Sequence, residues 1–112
     1  MIIADFIFDT NDVIQRCTVH GHAAFNQKGS DVVCAAVSIL IRTAVSLFTN
    51  HKGITVENEA PGRGIAWFQV KSVNTEKEFV KTVGIFLFEG VCSVVQEYPE
   101  RCTVRITKIQ NS

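Results

Sequence analysis

The stretch HGHAAFNQKGSDVVCAAVS, His20 to Ser38, places two imidazoles and one thiol where a glycine-containing loop meets an apolar segment. A thiol attacks a carbonyl when its proton has somewhere to go, and imidazole is the side chain that takes and returns a proton near neutral pH. Ser30 or Asp31 offers an N-cap for the segment that follows, which puts Cys34 in the first turn of a helix. Backbone N–H groups and the helix dipole favour a thiolate there. His22 or His20 can act as the base if the preceding strand ends beside the helix start. The plain alternative is that Cys34 fills space, because free cysteine is among the most buried residue types.

Other chemistries have less support. No G-x-x-x-x-G-K-S/T or G-x-G-x-x-G phosphate cradle occurs, and Gly62-Arg-Gly64 reads as a hairpin turn. The four cysteines form no C-x-x-C pair and the three histidines do not repeat at zinc-ligand spacing, so no metal or other cofactor is expected. Asp5, Asp9 and Asp12 are spread over a strand and a turn and read as solvated surface. Trp67 and Phe68 point to opposite sides of one strand, so one of them faces the core. His51, at the far end of the helix, has no reactive partner nearby in sequence.

The elements that must position Cys34 follow from periodicity. Residues 2–8 and 13–20 are β-rich and flank Asp9-Thr-Asn-Asp12, a turn-forming cluster. On the second strand Val13, Gln15, Cys17 and Val19 share one face, while Arg16, Thr18, His20 and, if no bulge intervenes, His22 share the other. A helix is predicted from Asp31 to Asn50, with Asp31, Ser38, Arg42, Ser46 and Thr49 in one narrow polar stripe and Cys34 at its edge. Residues 54–58 and 65–71 form a second hairpin around EAPGRG. Thr75-Glu-Lys-Glu78 reads as a capping box for a second helix that ends near Glu97, before Pro99, and residues 102–109 alternate again. The order ββαββαβ predicts an α+β fold: one two-layer α/β domain over residues 1–112, with two helices packed on a mixed or antiparallel five-stranded sheet.

A chain of 112 residues buries roughly 65% of the surface exposed when unfolded, enough for a core without disulfides. Lys+Arg and Asp+Glu both number 11, so no net field directs it to nucleic acid or to a membrane surface. The start MIIADFIFD lacks a basic region and reads as a strand, and the apolar run Val32 to Phe48 is interrupted by Cys34, Ser38, Arg42, Thr43 and Ser46. A cytoplasmic protein with reduced thiols is expected. Ile85-Phe-Leu-Phe88 is apolar on every side of its helix, more than one sheet face buries, and the surplus favours a homodimer.

Gly21-His22-Ala23, then Gly29 and Asp31-Val32-Val33-Cys34-Ala35-Ala36-Val37-Ser38, resembles the signature of the ribosomal-processing cysteine protease family. That resemblance implies a homodimeric endopeptidase that removes an N-terminal extension from bacterial large-subunit ribosomal protein twenty-seven. It implies Cys34 as nucleophile and His22 as base, a catalytic dyad. It further implies supporting or substrate-contacting roles for Asp31 and Ser38, a hinge at Gly21, and a loop from Ala24 to Ser30 that covers the substrate. The alternative is a non-catalytic ribosome-associated binding or assembly module in which Cys34 is packing and the apolar surface engages a partner. A thiol redox role ranks third, since no resolving cysteine lies close to Cys34 in sequence.

Overall fold

Alternating apolar residues build five strands and 3.6-residue periodicity builds two helices, in the expected order. They are β1 (Ile2–Asp9), β2 (Ile14–His20), α1 (Ser30–Thr49), β3 (Ile54–Gly62), β4 (Ile65–Val73), α2 (Lys77–Glu97) and β5 (Cys102–Ile109). The computed structural model describes residues 1–21, 30–62, 65–73 and 76–110. The strands form one sheet in the order β3-β4-β2-β1-β5. β1 runs antiparallel to β2 and parallel to β5, so the sheet is mixed.

Both helices cover the same face. Phe6 of β1, Cys17 of β2 and Phe68 of β4 are successive cross-strand partners and all are buried. Phe48 of α1 packs on Phe68 at 5.7 Å, and Phe88 of α2 meets Phe6 edge-on at 5.2 Å and Phe8 at 5.8 Å. Edge-to-face pairs of this kind contribute about 0.5–1.5 kcal/mol beyond their buried area. α2 approaches β2 so closely that a Cβ on Gly84 would lie 2.7 Å from the Ile14 side chain. Phe68 is therefore the inward residue of its pair. Trp67 faces out, with the Arg16 guanidinium 4.7 Å over its ring.

Four local expectations are corrected. The pairing of β1 with β2 shifts register where Ile7 faces Arg16 and Phe8 faces Ile14, so Gln15 is an extra residue and Ile14, fully buried, takes the core position expected of Gln15. Asp9 is 2% exposed rather than solvated. Its carboxylate accepts the N–H of Asn11 at 2.8 Å and of Val13 at 3.0 Å, which closes the turn between β1 and β2. At α2, Thr75 lies outside the described residues, the helix begins at Lys77, and Glu76 occupies the N-cap position without a side-chain cap. β3 also runs on to Gly62 through Pro61, which lacks a backbone N–H and is tolerated in this edge strand where the pairing with β4 is irregular between Glu59 and Gly62.

α1 lays Val33, Val37, Ile41, Ala44 and Phe48 into the core at helical spacing. Ser38, Arg42, Ser46 and Thr49 face solvent, as the polar stripe requires. Its span Val32–Thr49 has a mean hydropathy of 2.0, long and apolar enough by composition to cross a membrane. In this fold that apolarity is divided between the core face and exposed Val32, Ile39 and Leu47.

Candidate active site

Five elements meet at one end of the sandwich. β1 begins there, with the Ile2 N–H donating to the Arg101 carbonyl at 2.8 Å, and Ile2 is the cross-strand partner of Cys102 at the start of β5. β2 ends there, because His20 partners Ile3. α1 and α2 run antiparallel, with Leu40 against Gly90 and Leu47 sharing a groove with Val83. The start of α1 therefore lies beside the end of α2, from which Tyr98 leads into β5.

Gly21 turns the chain out of β2. Its φ of 129° lies in a region that L side chains rarely adopt, and a Cβ there would overlap the Met1 carbonyl oxygen. Only glycine fits that corner, and His22 follows immediately. His22 itself lies outside the described residues, as does the expected covering loop up to Gly29. Ser30, the expected end of that loop, is the first residue of α1.

Because α1 starts at Ser30, Cys34 is its fifth residue and sits one residue further in than expected. The amides of Ser30, Asp31 and Val32 precede the i→i−4 ladder and remain as donors at the helix start. Cys34 is partly buried and packs on the core cluster. Asp31 lies in the first turn, and Ser38, one turn beyond Cys34, is exposed.

The structure separates His20 from this group. Its Nε2 is 2.8 Å from Asp5 Oδ2, on the sheet face away from the helices, and the Arg105 Nε lies 3.2 Å from the other Asp5 oxygen. His51 is at the far end of α1, 3.1 Å from Glu76 and stacked on Phe79 at 4.0 Å.

The other cysteines differ in kind from Cys34. Cys17 and Cys102 are fully buried core residues. Burial, with a smaller contribution from Asp5, pushes the Cys17 thiol up to about 12. Cys92 is partly exposed, yet burial and the neighbouring Glu89 raise its pKa. Burial also raises that of Cys102, followed by the nearby Cys34 and Cys92 thiols.

A family model described as cysteine protease Prp matches residues 1–103. The chain belongs to the Prp cysteine protease family. Among solved structures, SMU.848 from Streptococcus mutans matches this Prp chain with a TM-score of 0.80 at 28% identity, over 97% of this chain and 96% of that one. The ribosomal processing protease Prp from S. aureus in complex with a substrate peptide matches with a TM-score of 0.80 at 18% identity, covering 96% of this chain and all (100%) of that one. The same S. aureus protease with a covalently linked product peptide gives a TM-score of 0.78 at 19% identity, with 96% and 100% covered. These S. aureus matches establish the Prp fold in this chain. A comparison with curated proteins gave no match.

Proposed function

We propose that this Prp-family member is an endopeptidase that removes the N-terminal extension of bacterial large-subunit ribosomal protein twenty-seven, using Cys34 as nucleophile and His22 as base. The observation that carries the reading is the cysteine protease family match across residues 1–103, which contain both groups. The setting of the thiols supports the choice of Cys34. Cys17 and Cys102 have no exposed surface for a substrate, and partial burial, with Glu89 nearby, opposes a thiolate at Cys92.

In this mechanism the Cys34 sulfur attacks the scissile carbonyl after His22 takes its proton. Amides at the start of α1 hold the oxyanion, and Asp31 and Ser38 support the helix start or contact substrate. His22 then protonates the leaving amine, and water clears the acyl-enzyme. The protein works in the cytoplasm as a homodimer, for which the exposed apolar residues Ile39, Ile85 and Phe86 supply a surface.

The test is the mass of the ribosomal protein's N-terminus. Incubation of the extended form with purified protein should yield the mature form through a single cut. An extended form left intact, together with ribosome pelleting unaffected by Cys34→Ala, would favour the assembly module instead.

A further inference from the structure

Asp5 sits in the middle of a β-strand, a setting that aspartate usually avoids. Its carboxylate is engaged on both sides. Asp5 and Arg105 are cross-strand partners in the parallel pair of β1 and β5, with Arg105 Nε 3.2 Å from Asp5 Oδ1. The other oxygen, Oδ2, lies 2.8 Å from His20 Nε2, and because a carboxylate only accepts, that nitrogen carries the imidazole proton. Asp5 pairs directly with Thr18 and His20 with Ile3, so this second contact is a diagonal between neighbouring rungs. Three strands are thus tied together on the sheet face away from the helices. The tie falls where the ladder runs out. His20 is the last residue of β2, and its partner on the other side, Ile65, is the first residue of β4. Gly21 then leaves at a φ of 129° with the Met1 carbonyl against it, and His22 follows.

We propose that Asp5 is a positioning residue for His22: by holding His20 at the end of β2, it fixes the direction in which the chain carries the base to Cys34. The inference rests on the reading of His22 as the base. Its path is covalent and short. Only Gly21 separates His20 from His22, and the contact of that glycine with Met1 restrains the one residue that could absorb a rotation of the strand end. Arg105 holds the carboxylate from the β5 side and keeps Oδ2 turned to His20. On the other flank of β2, Arg16 reaches β4, with Nη1 2.9 Å from Gln69 Oε1 and its guanidinium over Trp67. The strand is therefore braced on both sides of the same face. The His20 and Asp5 side chains are 39% and 36% exposed, and ion pairs so open to water add little to global stability. Local order at the end of β2 is what the tie governs.

The experiment measures kcat and KM of the full-length protein on a peptide spanning the extension junction, in a double-mutant cycle of Asp5→Ala with His22→Gln. Asp5→Ala should lower kcat about tenfold, as a small misplacement of a proton carrier does, with KM and the urea midpoint little changed. Asp5→Glu, which keeps a carboxylate for His20 and Arg105, should recover most of the loss. In His22→Gln, removal of Asp5 should cost nothing further, because no base is left to place. His20→Ala breaks the same contact from the other side, should show the same loss, and decides if Asp5→Ala does not fold. Asp12→Asn, at the comparably exposed Lys108 pair near the other end of β5, should leave kcat unchanged. An unchanged kcat in Asp5→Ala, or an equal loss with and without His22, would overturn the proposal and leave the base reading standing. No cleavage by the unaltered protein, or full activity in His22→Gln, would remove that reading and the proposal with it.

Discussion

Asp5 and His20 meet at 2.8 Å on the sheet face opposite α1, the helix that carries Cys34. That pairing holds His20 away from the helix that carries Cys34, and the base proposed is His22. His22→Gln should therefore lower kcat/KM by about 10²–10⁴-fold, the usual worth of a positioned proton carrier, while His20→Gln keeps activity within the same order of magnitude. Steady-state cleavage of a junction peptide by the two variants checks it. Equal losses would place His20 in the chemistry.

Gly21→Ala should damage both fold and site. The added Cβ meets the Met1 carbonyl at a backbone angle that alanine rarely adopts, a combination worth about 1–3 kcal/mol. A lowered urea midpoint should accompany slower cleavage, because the displaced corner is the one that leads into His22. An unchanged midpoint would contradict the tight corner described here.

Alkaline pH should weaken the protein through its buried thiols. Folded Cys17 holds its proton up to about 12, whereas the unfolded thiol ionises near its ordinary 9.0. Its contribution is complete below that lower value. Above it the unfolded state has given up a proton the folded state retains, so stability falls by up to about 1.4 kcal/mol per pH unit until the folded thiol ionises as well. The raised Cys92 and Cys102 thiols act with the same sign. Urea unfolding from neutral to alkaline pH should show a shallower decline for Cys17→Ala than for the unaltered chain.

Self-association should depend on the exposed helix surface. Phe86 is 70% exposed and Ile39 55%, beside a groove of about 150 Å³ lined by Leu40, Leu47 and Val83 among others. Light scattering should give a dimer mass for the unaltered protein and a monomer for Phe86→Glu, since a buried unpaired carboxylate opposes association. A dimer unaffected by the substitution would move the interface elsewhere.

Much of this architecture is legible in the sequence because strands and helices announce themselves by period. The parallel pairing of β1 with β5 is not, since it joins the two ends of the chain and no local pattern records it. The burial of Ile14 in place of Gln15 depends on how β2 pairs with β1, and an alternation counted along one strand passes over a bulge. Asp9 looked like surface because an aspartate is usually solvated, but in this turn its carboxylate takes over backbone N–H groups that would otherwise be buried unpaired. At the site, the placement of Cys34 near a helix start is legible from the N-cap candidates, whereas Gly21 entered only through the family resemblance and its tight corner depends on the close approach of Met1. The meeting of the start of α1 with the end of α2 is not legible, because only the antiparallel packing of the two helices records it.

The central claim is that Cys34 carries the nucleophile of a peptide bond cleavage. Its most direct test is the cleavage of a peptide spanning the extension junction by the unaltered protein and by Cys34→Ala, with circular dichroism to confirm that both are folded. Cleavage at one bond by the first and none by the folded second is the result expected. Continued cleavage by Cys34→Ala would contradict the assignment.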